Sequence, residues 1–255
     1  MTTTEPRRHE ICAIALAEAF RGDGEILASP IGILPSIAAR LARATFAPDL
    51  LMSDGVASLV AGIPPVGAVD ERPTVEGWIP YRTVFDVVWS GRRHVIMGAS
   101  QIDRHGNQNI ACIGDPKRPK AQLLGMRGAP GNTINHTTSY WIPAHSRRAF
   151  VARVDVVSGV GYDRAAALGP RASRFHEIRR VVSNLGVFDF ATGDHRMRLV
   201  SVHPGSSVEE IERNTAFALE IPANVPETRA PSDAELRLLR EVIDPGGAGN
   251  AEVRA

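Results

Sequence analysis

Cysteine is nearly absent: 255 residues include only Cys12 and Cys112. Two lone thiols, neither in a CxxC pair, exclude a disulfide framework and read as reduced, as in the cytoplasm. Lysine is equally scarce, with only Lys117 and Lys120, so arginine carries almost all the positive charge. The formal charge nearly cancels at +1, which argues against a nucleic-acid or membrane surface spread over the whole chain. Long apolar runs are missing too. The stretch at 11–17 is hemmed by His9, Glu10 and Glu18 and has no cleavage signature, which rejects a signal peptide. Nothing approaches the apolar length of a membrane span.

Several catalytic signatures are also missing. Eight histidines include no HExxH or comparable ligand pair, so no metal site is expected. Gly98-Ala99-Ser100-Gln101-Ile102 lacks the closing glycine of a GxSxG elbow. Gly159-Val160-Gly161 lacks the third glycine of a dinucleotide fingerprint, and no Walker sequence exists.

What is present is an alternation of strand and helix signals. Apolar spacing predicts a helix through 11–19, a short strand at 25–28, a helix over 33–46 and a buried strand at 50–52. That order predicts βαβ units and a largely parallel α/β sheet flanked by helices. The Pro- and Gly-rich stretch at 62–80 reads as a long irregular loop. After a helix closing over 84–89, strands are expected at 95–97, 109–113, 137–142, 151–157, 178–182, 187–190 and 197–202, the last two as a hairpin. Ser206 with Glu209, or Ser207 with Glu210, and Ser232 with Glu235 fit capping boxes before helices over 208–217 and 236–243. No boundary cuts the chain convincingly, so one domain over 4–245 and a flexible tail over 246–255 are expected.

Residues 98–109 read GASQIDRHGNQN. By turn chemistry alone, Asp103 bonds local amides and Gly106 supplies a positive φ, which is a structural role. The string also resembles the GAxQID-x-x-GN-x-N hallmark of class I coenzyme A-transferase β subunits, in particular the glutaconate-transferase branch. Residues 119–132, with Gly125, Gly128 and Gly131, resemble that family's glycine-rich loop. The blocks SNLGVFDF at 183–190, His203-Pro204-Gly205 and Asn214-Thr215-Ala216-Phe217 resemble its ending. These blocks run in order across about 11–245. The resemblance implies an open α/β sheet of the coenzyme A-transferase type and a homologous α subunit in an α2β2 assembly. It also implies an active site between the two subunits, and no cofactor apart from the coenzyme A carried by an acyl-coenzyme A substrate.

One departure from the family pattern matters most. The transferases carry a glutamate in an E-x-G turn, whose carboxylate takes the acyl group and then coenzyme A. Here the turn is Ser53-Asp54-Gly55, so Ser53 stands at the glutamate position and is not expected to be a nucleophile. Asp54, one position later on an extended chain, is expected to point the other way. The pattern is similar to a hydrolytic branch of the family that opens the last steroid-derived ring, held as a cyclic enone in thioester linkage to coenzyme A.

That resemblance implies a general base supplied by the α subunit, with this chain giving the pocket wall and oxyanion donors. Donor candidates are the backbone amides of 125–132 and the side chains of Gln101 and Asn132. Gly98, Ala99, Gly125, Arg127, Gly128, Gly131 and Asn132 are the substrate-binding candidates. Asp103, Gly106 and Asn107 are assigned to shaping the turn; His105 reads as a solvated turn residue rather than a catalyst, and His203 as a support of the fold. A plainer account stays open: the glycines let the loop cross a subunit interface, and Arg127 forms an ordinary surface salt bridge. Two other functions also stay open. One is a true acyl-CoA:carboxylate transferase using Asp54 or an α-subunit acid; the other is a non-catalytic partner that completes the α subunit.

Overall fold

The computed structural model describes residues 5–67 and 73–253. Their contacts form two compact units: the residues up to Ile96 with those from Arg229 on, and Met97–Thr228.

The first unit opens with α1 (Arg8–Glu18), whose residues from His9 to Ala17 are all buried. A helix buried along so much of its length belongs inside a core, and its one buried acid, Glu10, is paired with Arg240. After β1 (Leu27–Pro30) comes α2 (Ile33–Thr45), which buries a stripe of Leu34, Ile37, Ala38, Leu41 and Ala42 and packs on α1. The strand expected at 50–52 is reduced to one parallel bridge, Leu51 with Leu27. A ribbon follows, β2 (Ser58–Val60) antiparallel to β3 (Val75–Trp78). The stretch expected as irregular loop thus supplies a strand, while 68–72 lie outside the described residues.

Next come α3 (Tyr81–Trp89) and β4 (Arg93–Gly98). β1 and β4 run parallel, Leu27 opposite Arg93 and Pro30 opposite Ile96. α3 has no buried residue. Tyr81 is 80% exposed, Trp89 60% and neighbouring Trp78 74%. An apolar face this rich in aromatics marks an interaction surface.

In the second unit, β5 (Gln101–Ile102) pairs with β6 (Gln108–Asn109) and β7 (Cys112–Ile113) with β8 (Ala121–Gln122), both antiparallel. Then follow α4 (Ala129–Asn135), the fully buried β9 (Thr137–Ile142), two short helices α5 (Tyr162–Ala167) and α6 (Pro170–Ser173), and β10 (Glu177–Ser183). β9 and β10 are parallel. β10, β11 (Gly186–Asp189) and β12 (Arg198–Val202) are antiparallel, so the expected hairpin forms, Gly186 opposite Val202 and Asp189 opposite Arg198. The strand expected at 151–157 does not form. A single bridge joins Phe150 to Ile102, and the Asp155 carboxylate instead holds Gln101 and the Gly114 amide. The Val-rich pattern there found no neighbouring ladder to extend. α7 (Val208–Arg213) ends well short of 217, and its cap is Ser207, which accepts from the Glu210 amide.

A buried histidine shows how tightly this unit is satisfied. His145 stacks on Phe150 at 3.7 Å between centroids. Its Nε2 meets Thr215 Oγ1 and its Nδ1 meets Ser183 Oγ, both at 3.0 Å. Thr215 already donates its proton to the Ile211 carbonyl, so Nε2–H donates and Nδ1 accepts. Burial lowers the pKa of this imidazole from 6.5 to about 3. His203 is similarly held, between Thr228 and the Ser183 carbonyl.

The chain then rejoins the first unit. α8 (Asp233–Arg237) opens with a complete capping box of Ser232 and Glu235, and a π-helical turn, Leu238–Ile243, continues it. Against the expectation of a flexible tail, Ala248–Glu252 forms a 3-10 helix. The Glu252 carboxylate accepts from the Ile33 and Leu34 amides at 2.8 and 2.9 Å. It gives the N-terminus of α2, which has no acidic residue of its own in the first turn, the negative charge that helix starts favour.

Candidate active site

Ser53 is half-buried at the end of its single bridge to Leu59. Its Oγ accepts from the Gly55 amide at 3.2 Å. Asp54 Oδ1 accepts from the amides of Val56, Ala57 and Ser58 at 2.8, 2.9 and 3.0 Å. Both residues border one cavity. The Asp54 carboxylate is curled onto its own turn, held by three amides, and lies exposed. The Ser58 and Val56 amides, then Ala57, hold its carboxyl below the usual carboxylate range. Hydrogen bonds to the charged form make it a weak base and a weak nucleophile.

The cavity belongs to the first unit and encloses about 490 Å³, within the roughly 300–1,000 Å³ typical of small-molecule sites. Its apolar wall is Leu27, Met52, Ile79, Val84, Val87 and Val88, the last three from α3. Its polar lining includes Ser29, Ser36, Arg40 and Arg93 besides the Ser53 turn. Arg40 Nε donates to the Pro64 carbonyl at 2.7 Å and Nη1 to the Ser36 carbonyl at 3.1 Å. Arg93 Nε donates to Ser29 Oγ at 2.8 Å. Sequence reading passed over both arginines. The available signal was Arg40 interrupting the Ala- and Leu-rich α2, and Arg93 opening an apolar strand.

The other predicted residues lie in the second unit. Asp103 Oδ1 accepts from the amides of His105 and Asn107 at 3.0 and 3.1 Å, and Asn107 Nδ2 donates to Asp103 Oδ2 at 3.0 Å. Asn107 also donates to Asp163 and accepts from the Gly161 amide. Gly106 sits at φ +81°, where an added Cβ would come within 2.5 Å of Ile178 Cδ1. Gln101 is buried with its Oε1 accepting from Asn109 and the Asp155 amide, while Nε2 donates to Asp155. That makes it a brace for the β5–β6 hairpin, with one of its two Nε2 hydrogens spent on Asp155.

Gly98 is exposed, Ala99 half-buried, and the Gly98 carbonyl accepts from Gln108. Next to it, Asn132 Nδ2 reaches Met97 Sδ at 3.7 Å, so the end of β4 and the helix α4 meet at these two candidates. The expected glycine loop is partly helical: Gly128 caps α4, and Gly131 and Asn132 lie inside it. The amides of Ala129 and Asn132 are taken by the carbonyls of Met126 and Gly128, which removes those two as donors and leaves the Gly131 amide and the turn from Gly125 to Gly128. Arg127 stands there at φ +51°, unusual for a residue with a side chain. Its Nε donates to the Leu124 carbonyl at 2.9 Å; the expected surface salt bridge is not among its bonds. Among the described residues no cluster of three His, Cys, Asp or Glu side chains would hold a metal ion.

The model of a family described as "Coenzyme A transferase" matches residues 83–214, more than half of the chain. The chain belongs to the coenzyme A transferase family. It is 55% identical over 252 residues, 99% of this chain and 98% of the other, to a Rhodococcus jostii protein named "Cholesterol ring-cleaving hydrolase IpdB subunit". The crystal structure of Rhodococcus jostii IpdAB superposes with a TM-score of 0.93 at 54% identity, covering 99% of this chain and 100% of that one. Glutaconate coenzyme A-transferase from Acidaminococcus fermentans superposes at 0.82 and 26% identity, covering 99% of both chains. The fold is the open, mostly parallel α/β sheet of this family. The family match holds the GASQID turn and the glycine loop but leaves out Ser53 and Arg40. The cavity is therefore read from geometry alone.

Proposed function

We propose that this chain is the β subunit of a heteromeric hydrolase that opens the last steroid-derived ring of a cyclic enone acyl-coenzyme A thioester by carbon–carbon hydrolysis. The observation that carries the reading is the Ser53 turn. A transferase needs a carboxylate projecting there to take the acyl group, and this turn offers a hydroxyl and a carboxylate already bound by three amides. The name of the Rhodococcus relative, at 55% identity, supports the same choice.

The chemistry sets two demands. Water adds to the conjugated enone, and the carbon–carbon bond then breaks with charge passing to a thioester enolate. A base must stand near the water and donors near the developing oxyanion. Asp54, held down by its amides, does not suit the base, so that role falls to the homologous α subunit. The cavity beside Ser53 provides the apolar wall for a ring. Within the second unit, taken by itself, Gly98, Ala99 and the turn from Gly125 to Gly128 are our candidates for substrate contacts.

The α subunit, in an α2β2 assembly, seats on the exposed face of α3 with Trp78. The opposite side of that helix already lines the cavity through Val84, Val87 and Val88, so a partner docked there reaches its mouth. Among the described residues no helix is long and apolar enough to cross a membrane. Two buried free cysteines support a cytoplasmic home.

The test is an assay of the co-purified α and β subunits on a cyclic enone acyl-coenzyme A. A product one water heavier, formed without any acyl acceptor and with no borohydride-trapped enzyme thioester, is the expected result. Ping-pong exchange of coenzyme A onto an added carboxylate would overturn it.

A further inference from the structure

The first unit holds a second cavity, and helix α2 is a wall to both. Ser36 and Arg40 line the one beside the Ser53 turn, and Ile37 lines the other. This second cavity encloses about 200 Å³. At the roughly 30 Å³ that a water takes up in the liquid, that is room for about six heavy atoms. Its acids are already spent. Glu10 takes Arg240 through both oxygens and the Arg7 amide besides. Asp244 accepts from the amides of Ala248 and Gly249.

The donors are not spent. Arg7 is exposed and forms no ion pair among the described residues. Arg240 bonds only through Nε and Nη2. His9 is 7% exposed, yet its ring makes no hydrogen bond among the described residues. Nδ1 is sealed inside the protein, so Nε2 is the nitrogen left to meet a ligand. Burial, the largest influence, holds this imidazole below its usual pKa, so the ring is neutral with a single N–H. A donor withdrawn from water is costly until an acceptor meets it. Beside these groups lies an aliphatic floor of Ala13, Ile37, Leu239 and Pro245. A surplus of donors over such a floor suits an anionic oxygen group on a short apolar body. Inorganic phosphate lacks the body, and a long acyl chain exceeds the volume.

We propose that this second cavity is a binding site for a short-chain carboxylate, its oxygens received by Arg7 and His9 Nε2 and its chain by the aliphatic floor. The site is separate from the cavity beside Ser53 and does not depend on how that cavity is read. Its occupant rests against Ile37, next in sequence to Ser36 in the other cavity's wall.

The experiment is a calorimetric titration of the intact αβ complex with butyrate and with butyramide, its neutral isostere. Butyrate should bind with a Kd of about 1 mM or tighter, within reach of so small a ligand. Butyramide should bind about tenfold more weakly, because hydrogen bonds to a charged group are the stronger ones. Arg7→Gln, a change at an exposed position, should remove that preference. His9→Gln should weaken butyrate about tenfold, with melting curves confirming that the variant folds. Val88→Trp, which fills the cavity beside Ser53, should leave butyrate binding as it was. No heat from butyrate at about 20 mM, well above the expected Kd, overturns the inference. So does equal binding of butyrate and butyramide, or a preference that survives Arg7→Gln. If Val88→Trp abolishes the binding, butyrate sits in the other cavity and this site falls. The hydrolase reading stands or falls separately, on the turnover assay above.

Discussion

Two aspartates each cap a turn in this chain, and they end in opposite electrostatic states. Asp54 accepts from three amides in open solvent, and those bonds push its pKa down. Asp103 accepts from two amides and the Asn107 side chain inside the second unit, and there burial, the largest influence, pushes the pKa up. The bonding is alike; the surrounding dielectric reverses the outcome. The buried turn is a structural joint whose polar atoms are consumed internally. The exposed turn is shallow, tolerant, and borders a cavity.

The glycines of the two turns sharpen this contrast most. Gly106 and Gly55 have nearly the same φ, +81° and +79°, but an added Cβ meets Ile178 and Phe190 at Gly106 and nothing within 4 Å at Gly55. Gly106→Ala should therefore destabilise by about 3 kcal/mol, strain and overpacking together, and Gly55→Ala by about 1 kcal/mol, the left-handed backbone alone. Equal losses in denaturant titrations would break the comparison.

Acid should act next through buried histidines, of which His145 is the most strongly shifted. The neutral His145 in the second unit has a folded pKa of about 3 against 6.5. Below pH 6.5 the unfolded chain takes up a proton that the folded chain refuses, so stability falls as pH falls, and the loss ends near the folded value. The slope is about 1.4 kcal/mol per pH unit. Thermal melts from pH 7 to 5 should show it, and His145→Gln should flatten it. A slope unchanged by that substitution would assign acid sensitivity elsewhere.

Smaller effects belong to the exposed turn. Asp54→Asn keeps an accepting oxygen and should cost about 0.5–1 kcal/mol, as a weakened cap does, with ring-opening turnover within about threefold of the parent. A loss of several hundredfold in turnover would make Asp54 the base and return that role to this chain. Ser53→Ala should be the mildest, within about 0.5 kcal/mol in stability.

How much of this was readable beforehand varied with the kind of signal. The helix α2 followed from its period, because it buries a regular stripe; β9 and β11 are buried on both faces, so they were legible from β-branched and aromatic content between turn signals rather than from alternation. The run at 151–157 has the same β-branched look, but Asp155 spends its carboxylate on Gln101 and Gly114 and no ladder was open beside it. The break between Ile96 and Met97 falls inside β4, where no change of composition marks it. At the site, the motif drew attention to Gln101 and Asn132, polar groups that the fold uses for itself. Arg40 and Arg93 belong to no motif, and their shared cavity arises only once α2, α3 and β4 have packed. The π-helical turn after α8 likewise has no local pattern that announces it.

Glu252 reaches back across 219 positions to hold the first turn of α2, the helix that four residues beyond Ser36 presents Arg40. The chain's last stretch is therefore mechanically geared to the cavity wall. A purification handle fused close behind Glu252 would pull on that gear, and a protease nick there would release it; either would loosen the start of α2 and the cavity wall it carries.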